Sequence, residues 1–424
     1  MSGPARADLL LHSIRRLVTV DPHASGGDGG PLGVIENGAV AITGDRIAAV
    51  GPTETIRRDR EGPETEIRAL PESTVLPGFV DPHTHVLFAG SREEEFALRL
   101  EGRSYMEIAA AGGGILSSVR SFRAATDERI LEETRARLDA MLALGTTTVE
   151  VKSGYGLETE QEIRALRLID RLNDEHPCDL IGTFLGAHEF PPEHRDRRAE
   201  YVRIVAEEML PRVAAETRAR YCDVFCEKGV YTPEESRAIL VAARSHGLRL
   251  RVHADEFAPS GASELAGELG ADSADHLMEV TDAGLAALAA AGTTAVLLPG
   301  TSFSMGNRRY ADPERIRAAG VQIALATDCN PGSAMTHSMP LILTLAVLEM
   351  KMPLAEAIRG ATTEAARSLG IDGEVGQIAP GRLADLQVLP APHEAGIVYR
   401  LGGLVPSIVY KRGRPVSPSA APFG

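Results

Sequence analysis

Two histidines one residue apart, His83 and His85, close the run Val75-Leu76-Pro77-Gly78-Phe79-Val80-Asp81-Pro82-His83-Thr84-His85. The run reads as a short apolar strand. Alternate side chains of a strand share a face, so both imidazoles point the same way. Paired imidazoles at a strand end suit a divalent cation, which binds neutral imidazole nitrogen at roughly 2.0–2.1 Å. One H-x-H pair specifies little, but further ionisable groups follow later apolar runs. Arg251-Val252-His253 leads into Ala254-Asp255-Glu256, Asp272-Ser273-Ala274-Asp275-His276 ends the next run, and Ala324-Leu325-Ala326-Thr327-Asp328 ends a later one. Three histidines and one aspartate form a hard-to-borderline donor set for Zn, with Fe or Mn also acceptable. A water at an open position of such a cation falls in pKa from about 15.7 to about 7. Glu256 and His276 are then candidates to carry its protons.

Those groups must be delivered by regular elements. From about Leu76 the chain alternates strand, loop and helix. Strands are predicted at 146–151, 180–186, 221–226, 248–253, 272–276, 294–298 and 321–327, and helices at 127–144, 158–173, 193–218, 232–246, 260–269, 281–291 and 312–319. Such alternation over about 250 residues argues for parallel strands with helical crossovers. Pattern alone admits both a (β/α)8 barrel and a doubly wound sheet. The barrel is favoured because the polar groups sit at the C-terminal ends of many different strands, where barrel enzymes assemble their sites. Residues 7–75 alternate in short β-like bursts, and β character returns at 376–389 and 408–413. The expected architecture is therefore α/β: a (β/α)8 TIM-like barrel over 76–370, and a small β-sandwich domain formed by both chain termini, 1–75 and 371–424.

Composition narrows the partners. The chain has 424 residues, 44% hydrophobic, with a net charge of −15. That charge disfavours nucleic acid, whose binding rests on phosphate neutralisation by Lys and Arg. An acidic protein that takes an anionic small molecule needs a local cation, so a pocket arginine is expected. No run approaches the ~18 apolar residues of a membrane span, and Met1 to Val18 lacks the apolar core of a secretory signal. The expectation is a cytoplasmic protein with no membrane partner. Cys178, Cys222, Cys226 and Cys329 are widely spread and read as buried, reduced thiols.

Several segments together carry a resemblance. They are Asp81-Pro82-His83-Thr84-His85, Phe88-Ala89-Gly90-Ser91-Arg92-Glu93-Glu94-Glu95-Phe96, Gly102-Arg103-Ser104-Tyr105 with Ala111-Gly112-Gly113-Gly114-Ile115, Glu150-Val151-Lys152-Ser153-Gly154-Tyr155-Gly156-Leu157, Gly186-Ala187-His188-Glu189, Val252-His253-Ala254-Asp255-Glu256, Ala326-Thr327-Asp328-Cys329-Asn330-Pro331-Gly332-Ser333 and Gly381-Arg382-Leu383-Ala384-Asp385-Leu386. Over nearly the whole chain the sequence resembles the amidohydrolase superfamily of metal-dependent hydrolases, and within it the imidazolonepropionases of histidine degradation. The resemblance implies one Zn or Fe per subunit, ligated by His83, His85, His253 and Asp328. It implies substrate contacts from Arg92, Tyr105, Tyr155, His188, Glu256, Asn330, Gly332 and Ser333, and catalytic roles for Glu256, His276 and Asp328. The implied reaction is hydrolysis of 4-imidazolone-5-propanoate to N-formimidoyl-L-glutamate by a metal-activated water. The alternatives are another deaminase or cyclic amidohydrolase of the superfamily, or a non-catalytic barrel. A homodimer is the implied assembly.

The residues agree where they can be compared. Arg92 lies seven positions past His85, and a guanidinium grips a carboxylate through two parallel hydrogen bonds. Tyr155 stands between Gly154 and Gly156, which lets its ring approach a ligand. Tyr105 is also placed to cap a helix beginning near Met106. Lys152 reads either as a bridging ligand of the kind dinuclear relatives carry or as an ion-pair partner of Glu150 or Asp255. Asp81 reads as an orienting carboxylate or a turn residue. The sequence departs from the closest pattern at Glu189, at Thr301-Ser302-Phe303-Ser304-Met305-Gly306 and at Ser333.

Overall fold

The computed structural model describes residues 6–103, 107, 113–306 and 309–416. It contains two eight-stranded sheets. The first begins with β1 (Leu9–Val18), β2 (Val34–Thr43), β3 (Arg46–Pro52), β4 (Glu66–Ala69) and β5 (Thr74–Pro77). The second is formed by β6 (Phe79–Asp81), β7 (Thr146–Lys152), β8 (Asp179–Ala187), β9 (Tyr221–Cys226), β10 (Arg249–Ala254), β11 (Ser273–His276), β12 (Thr294–Leu297) and β13 (Ile323–Leu325), neighbouring one another in chain order. The chain then returns to the first sheet with β14 (Leu386–Leu389), β15 (Ile408–Lys411) and β16 (Arg414–Val416).

The first sheet is mixed. β1 pairs antiparallel with β2 (Leu9 opposite Ile42) and parallel with β5 (Arg16 opposite Thr74), and β5 pairs antiparallel with β14 (Pro77 opposite Leu386). Its core draws on both ends of the chain: Leu11, Ile14, Leu17 and Val40 pack with Leu386, Val388 and Tyr410.

The second sheet is the barrel. β7 is buried along its whole length, as are β11, β12 and β13. That is the signature of a parallel sheet covered on both faces. Helices alternate with these strands: Asp127–Ala143, Thr159–Glu175, Pro233–Ser245, Ala262–Glu268, Asp282–Ala291 and Pro313–Ala318. Thr232 and Glu235 form a reciprocal capping box at the start of Pro233–Ser245. The seam between the last strand and the first is closed by the candidate ligand segments themselves. The Asp328 amide donates to the His83 carbonyl at 3.1 Å, and the His85 amide to the Cys329 carbonyl at 3.0 Å.

Two expectations change in detail. The single strand over 75–85 is divided: β5 ends at Pro77, β6 starts at Phe79, and a Cβ on Gly78 would lie 2.3 Å from the Thr147 hydroxyl. The helix over 193–218 is broken into Arg198–Arg203, a π-helical turn Ile204–Met209, and Leu210–Glu216. Pro211, which has no N–H to donate, sits at the start of the last piece. The structure packs into two compact units, one of residues up to Pro82, Asp139–Thr148 and from Ser338 on, the other His83–Leu138 with Val149–His337. Among the described residues no helix is long and apolar enough to cross a membrane.

Candidate active site

His83, His85 and His253 each offer a ring nitrogen within 4.8 Å of the others, and all three side chains are buried. His253 Nε2 lies 3.3 Å from His85 Nε2. Asp328 Oδ1 stands 3.5 Å from His83 Nε2 and 3.6 Å from His85 Nε2. The other Asp328 oxygen accepts the Thr301 hydroxyl. Burial, with neighbouring cationic groups, holds His83 and His85 well below the ordinary imidazole range, so both rings are neutral. Burial likewise pushes the Asp328 carboxyl up to about 6, against the pull of the Thr301 hydrogen bond and His253.

Carboxylates orient two of these rings from behind. His83 Nδ1 lies 2.6 Å from Asp275 Oδ2, and His253 Nδ1 lies 3.1 Å from Asp223 Oδ2. With its Nδ1 proton directed at Asp275, His83 presents a lone pair on Nε2, a buried atom with no hydrogen-bond partner. A buried lone pair with no donor to accept from, beside further imidazole nitrogens and the Asp328 carboxylate, is unfavourable unless a cation sits among them. Charge leads to the same conclusion. In the fully buried barrel interior Lys152 Nζ lies 2.8 Å from both Glu150 Oε1 and Asp223 Oδ2, and Arg251 Nη2 lies 3.4 Å from Asp275 Oδ2. Lys152 and Arg251 thus pair with the carboxylates behind the histidines, while Asp328 faces His83 and His85 as a further buried carboxylate whose charge a bound cation would compensate. The residues therefore fit the group that the sequence pattern implies.

Lys152 pairs with Glu150 as expected, but its second partner is Asp223 and not Asp255. Asp255 instead accepts from the Ser260 and Ser263 hydroxyls. Burial opposes the ammonium charge of Lys152, yet Asp223 and Glu150 outweigh it and raise the pKa. Sequence reading gave no role to Asp275, Asp223 or Arg251. The carboxylate found on His83 is Asp275, a part that Asp81 had been a candidate for. The four cysteines are buried and form no disulfide.

Two further ionisable groups adjoin the histidines. The His276 ring centroid is 5.6 Å from that of His83 and 5.4 Å from that of His253. His276 Nε2 lies 3.7 Å from Glu256 Oε2. Burial, then the charges of Asp328 and Glu227, drive the Glu256 carboxyl well above the usual range, which favours its protonated form. Burial keeps His276 neutral. His276 has φ +81° and Asp328 φ +53°, left-handed conformations uncommon for residues other than glycine.

The remaining candidates lie around the rim. His188 stacks on His85 (centroids 4.9 Å apart, 19° between planes), and Tyr155 lies 5.5 Å from His188 and 6.2 Å from His85. Arg92 donates through Nε and Nη2 to Glu95 Oε2 at 3.0 and 2.8 Å. Its Nη1 lies 2.3 Å from where a Cβ on Gly332 would be, so only glycine there allows the guanidinium this approach. A cavity of about 270 Å³ opens between Arg92, Arg99, Phe96, Gly332 and Met335. The Asn330 amide is used to hold its own turn: Nδ2 donates to the Asp328 carbonyl, and Oδ1 accepts the Gly332 and Ser333 amides at 2.8 Å. Tyr105 and the start of the helix expected near Met106 lie outside the described residues.

Comparison with known proteins agrees with this geometry. The Amidohydrolase family pattern matches residues 74–416, and that of a bacterial imidazolonepropionase-like composite domain matches residues 38–59. The imidazolonepropionase of Symbiobacterium thermophilum is 48% identical over 417 residues, covering 96% of each chain, and that of Geobacillus kaustophilus is 46% identical, covering 96% of this chain and 97% of its own. Among solved structures, N-isopropylammelide isopropylaminohydrolase from Burkholderia multivorans matches with a TM-score of 0.69 at 21% identity (96% of this chain, 97% of that one). A zinc-bound adenosine deaminase from Xanthomonas campestris matches with 0.67 at 19% (97% and 93%). These two share the barrel fold, whereas near-full-length identity of this size marks common descent: the chain belongs to the amidohydrolase family and, within it, to the imidazolonepropionases.

Proposed function

We propose that this protein hydrolyses the ring amide of 4-imidazolone-5-propanoate to N-formimidoyl-L-glutamate. The observation that carries the reading is the convergence of His83, His85, His253 and Asp328 on one buried point, beside the Glu256–His276 pair. The relatives named imidazolonepropionase supply the substrate. In this reading the three histidines and Asp328 hold one Zn or Fe. When bound, that ion supplies Lewis acidity, which acidifies water and polarises a carbonyl oxygen.

The chain's own residues do the rest. Arg92, cradled at Gly332, binds the propionate through its guanidinium. Tyr155 and His188 confine the imidazolone ring. Glu256, whose protonated form the pocket favours, donates a hydrogen bond to the imidazolone ring, and the proton given up by the attacking water passes to the leaving ring nitrogen. His276, a neutral imidazole, donates a hydrogen bond to the carbonyl oxygen as charge develops on it. Asp328 relays a proton to the leaving nitrogen. We further assign residues 76–370 to the catalytic barrel, and propose a cytoplasmic homodimer.

The test is an ultraviolet assay with freshly prepared imidazolone propionate, with product analysis. Loss of the imidazolone band with formation of N-formimidoyl-glutamate and no ammonia supports the reading. Ammonia release, or an untouched substrate, overturns it in favour of a deaminase or another cyclic amidohydrolase.

A further inference from the structure

We propose that Glu162 is a positioning residue for substrate recognition: its carboxylate holds the loop that carries Tyr155 and, through the Gly154 peptide, fixes which nitrogen of His188 is offered to the substrate. The proposal rests on the imidazolonepropionase reading for its substrate, but not for its geometry.

Glu162 belongs to the helix Thr159–Glu175, beside the apolar face of Ile163, Leu166 and Ile169. A carboxylate fully buried on such a face requires partners. Its partners are all in one loop. Oε2 accepts the Gly154 amide at 3.0 Å, and Oε1 accepts the Gly156 and Leu157 amides, each at 2.8 Å. The donors bracket Tyr155 on both sides, so the tyrosine sits at the apex of a loop closed around an anion. The loop needs unusual backbone to do this: Gly154 has φ +106° and Leu157 φ +51°. A Cβ on Gly156 would lie 2.8 Å from Glu162 Oε1 itself.

The Gly154 peptide links this anchor to a second pocket residue. Its amide donates to Glu162, and its carbonyl lies 3.0 Å from His188 Nδ1. A carbonyl can only accept, so Nδ1 carries the proton and Nε2 keeps its lone pair. A Cβ on Gly154 would come within 2.9 Å of that Nδ1, so the contact also depends on glycine. His188 thus offers an acceptor beside His85 and Tyr155, and an imidazolone ring carries N–H donors to match it. Glu162 sets this arrangement without belonging to the cation site, since these three hydrogen bonds all go to residues 154–157.

Glu162→Gln tests the idea with almost no change in shape. It places an NH2 group against a backbone N–H, and one side of the loop loses its acceptor. KM for imidazolone propionate is expected to rise about tenfold, a loss of about 1.4 kcal/mol, with kcat and zinc content within about twofold of wild type. The second readout needs no substrate. In zinc-loaded protein labelled with 15N-histidine, with His188 assigned from His188→Gln, wild type should show the Nδ1-protonated tautomer and Glu162→Gln a mixture. An unchanged KM, an activity loss that tracks zinc loss, or an unaltered His188 tautomer overturns the proposal. If Glu162→Gln does not fold, Glu162→Asp, which keeps the charge but is one methylene shorter, is judged by the same criteria. Should wild type leave imidazolone propionate untouched, the functional reading fails separately, and the tautomer still decides on Glu162.

Discussion

Asp275 Oδ2 sits 2.6 Å from Nδ1 of His83, and neither side chain reaches solvent. The contact holds His83 in the tautomer whose free Nε2 faces His253 and Asp328. Outer partners of this kind are typically worth about 10–100-fold in metal affinity. Asp275→Asn should therefore weaken zinc binding by about that factor, read by competition with a chromogenic chelator. An unchanged affinity would detach Asp275 from the site.

Asp328 links metal binding to pH. Its folded pKa of about 6, raised by burial, exceeds the ordinary aspartate value of 3.8. In metal-free protein the folded state therefore binds this proton more tightly than the unfolded chain. The resulting stabilisation is present below the unfolded value and is lost as pH rises through about 6. A cation needs the ionised carboxylate, so affinity should climb with pH through the same range. Titrations at several pH values check both trends, and Asp328→Asn should flatten this carboxyl's contribution to each.

Arg92→Met should act on binding. Loss of a two-pronged charged hydrogen bond is worth about 1.5–3 kcal/mol, so KM should rise roughly 10- to 100-fold with kcat little changed. Gly332→Ala should act in the same direction, because the new methyl would occupy the place of Arg92 Nη1. Steady-state kinetics on both variants provide the check, and an unmoved KM would remove the carboxylate clamp.

His276→Ala should leave the metal in place and lower kcat by about 10²–10⁴-fold, the usual range for a group acting on a proton or a developing charge. Elemental analysis alongside kinetics separates this from a loss of metal. A fully active variant would refute the role.

Much of this site is legible in sequence because barrel strands deliver side chains in register. His83, His85, His253, His276 and Asp328 each follow an apolar run, and parallel pairing brings those ends to one rim. The buried charges were harder to read. Glu150 and Lys152, or Arg251 and His253, look like ordinary polar positions until burial on both strand faces is known. The available signal was their period of two on strands whose neighbouring residues are Thr, Val, Leu and Ala: charge at that spacing in a fully covered sheet points into the barrel and must be paired. Glu162 was illegible for another reason, since a glutamate early in a helix is normally solvent-facing, and only the fold of residues 153–157 buries it. The break of the first strand does have a signal in the Pro77-Gly78 dipeptide, but apolar residues on both sides of it, Val75-Leu76 and Phe79-Val80, read as one strand.

The most direct test of the account is metal stoichiometry measured together with turnover of imidazolone propionate, before and after chelation and after reloading. The account predicts one zinc or iron per chain, a chelated protein that stays folded but inactive, and recovery on reloading. Undiminished hydrolysis by folded protein verified free of metal would contradict it.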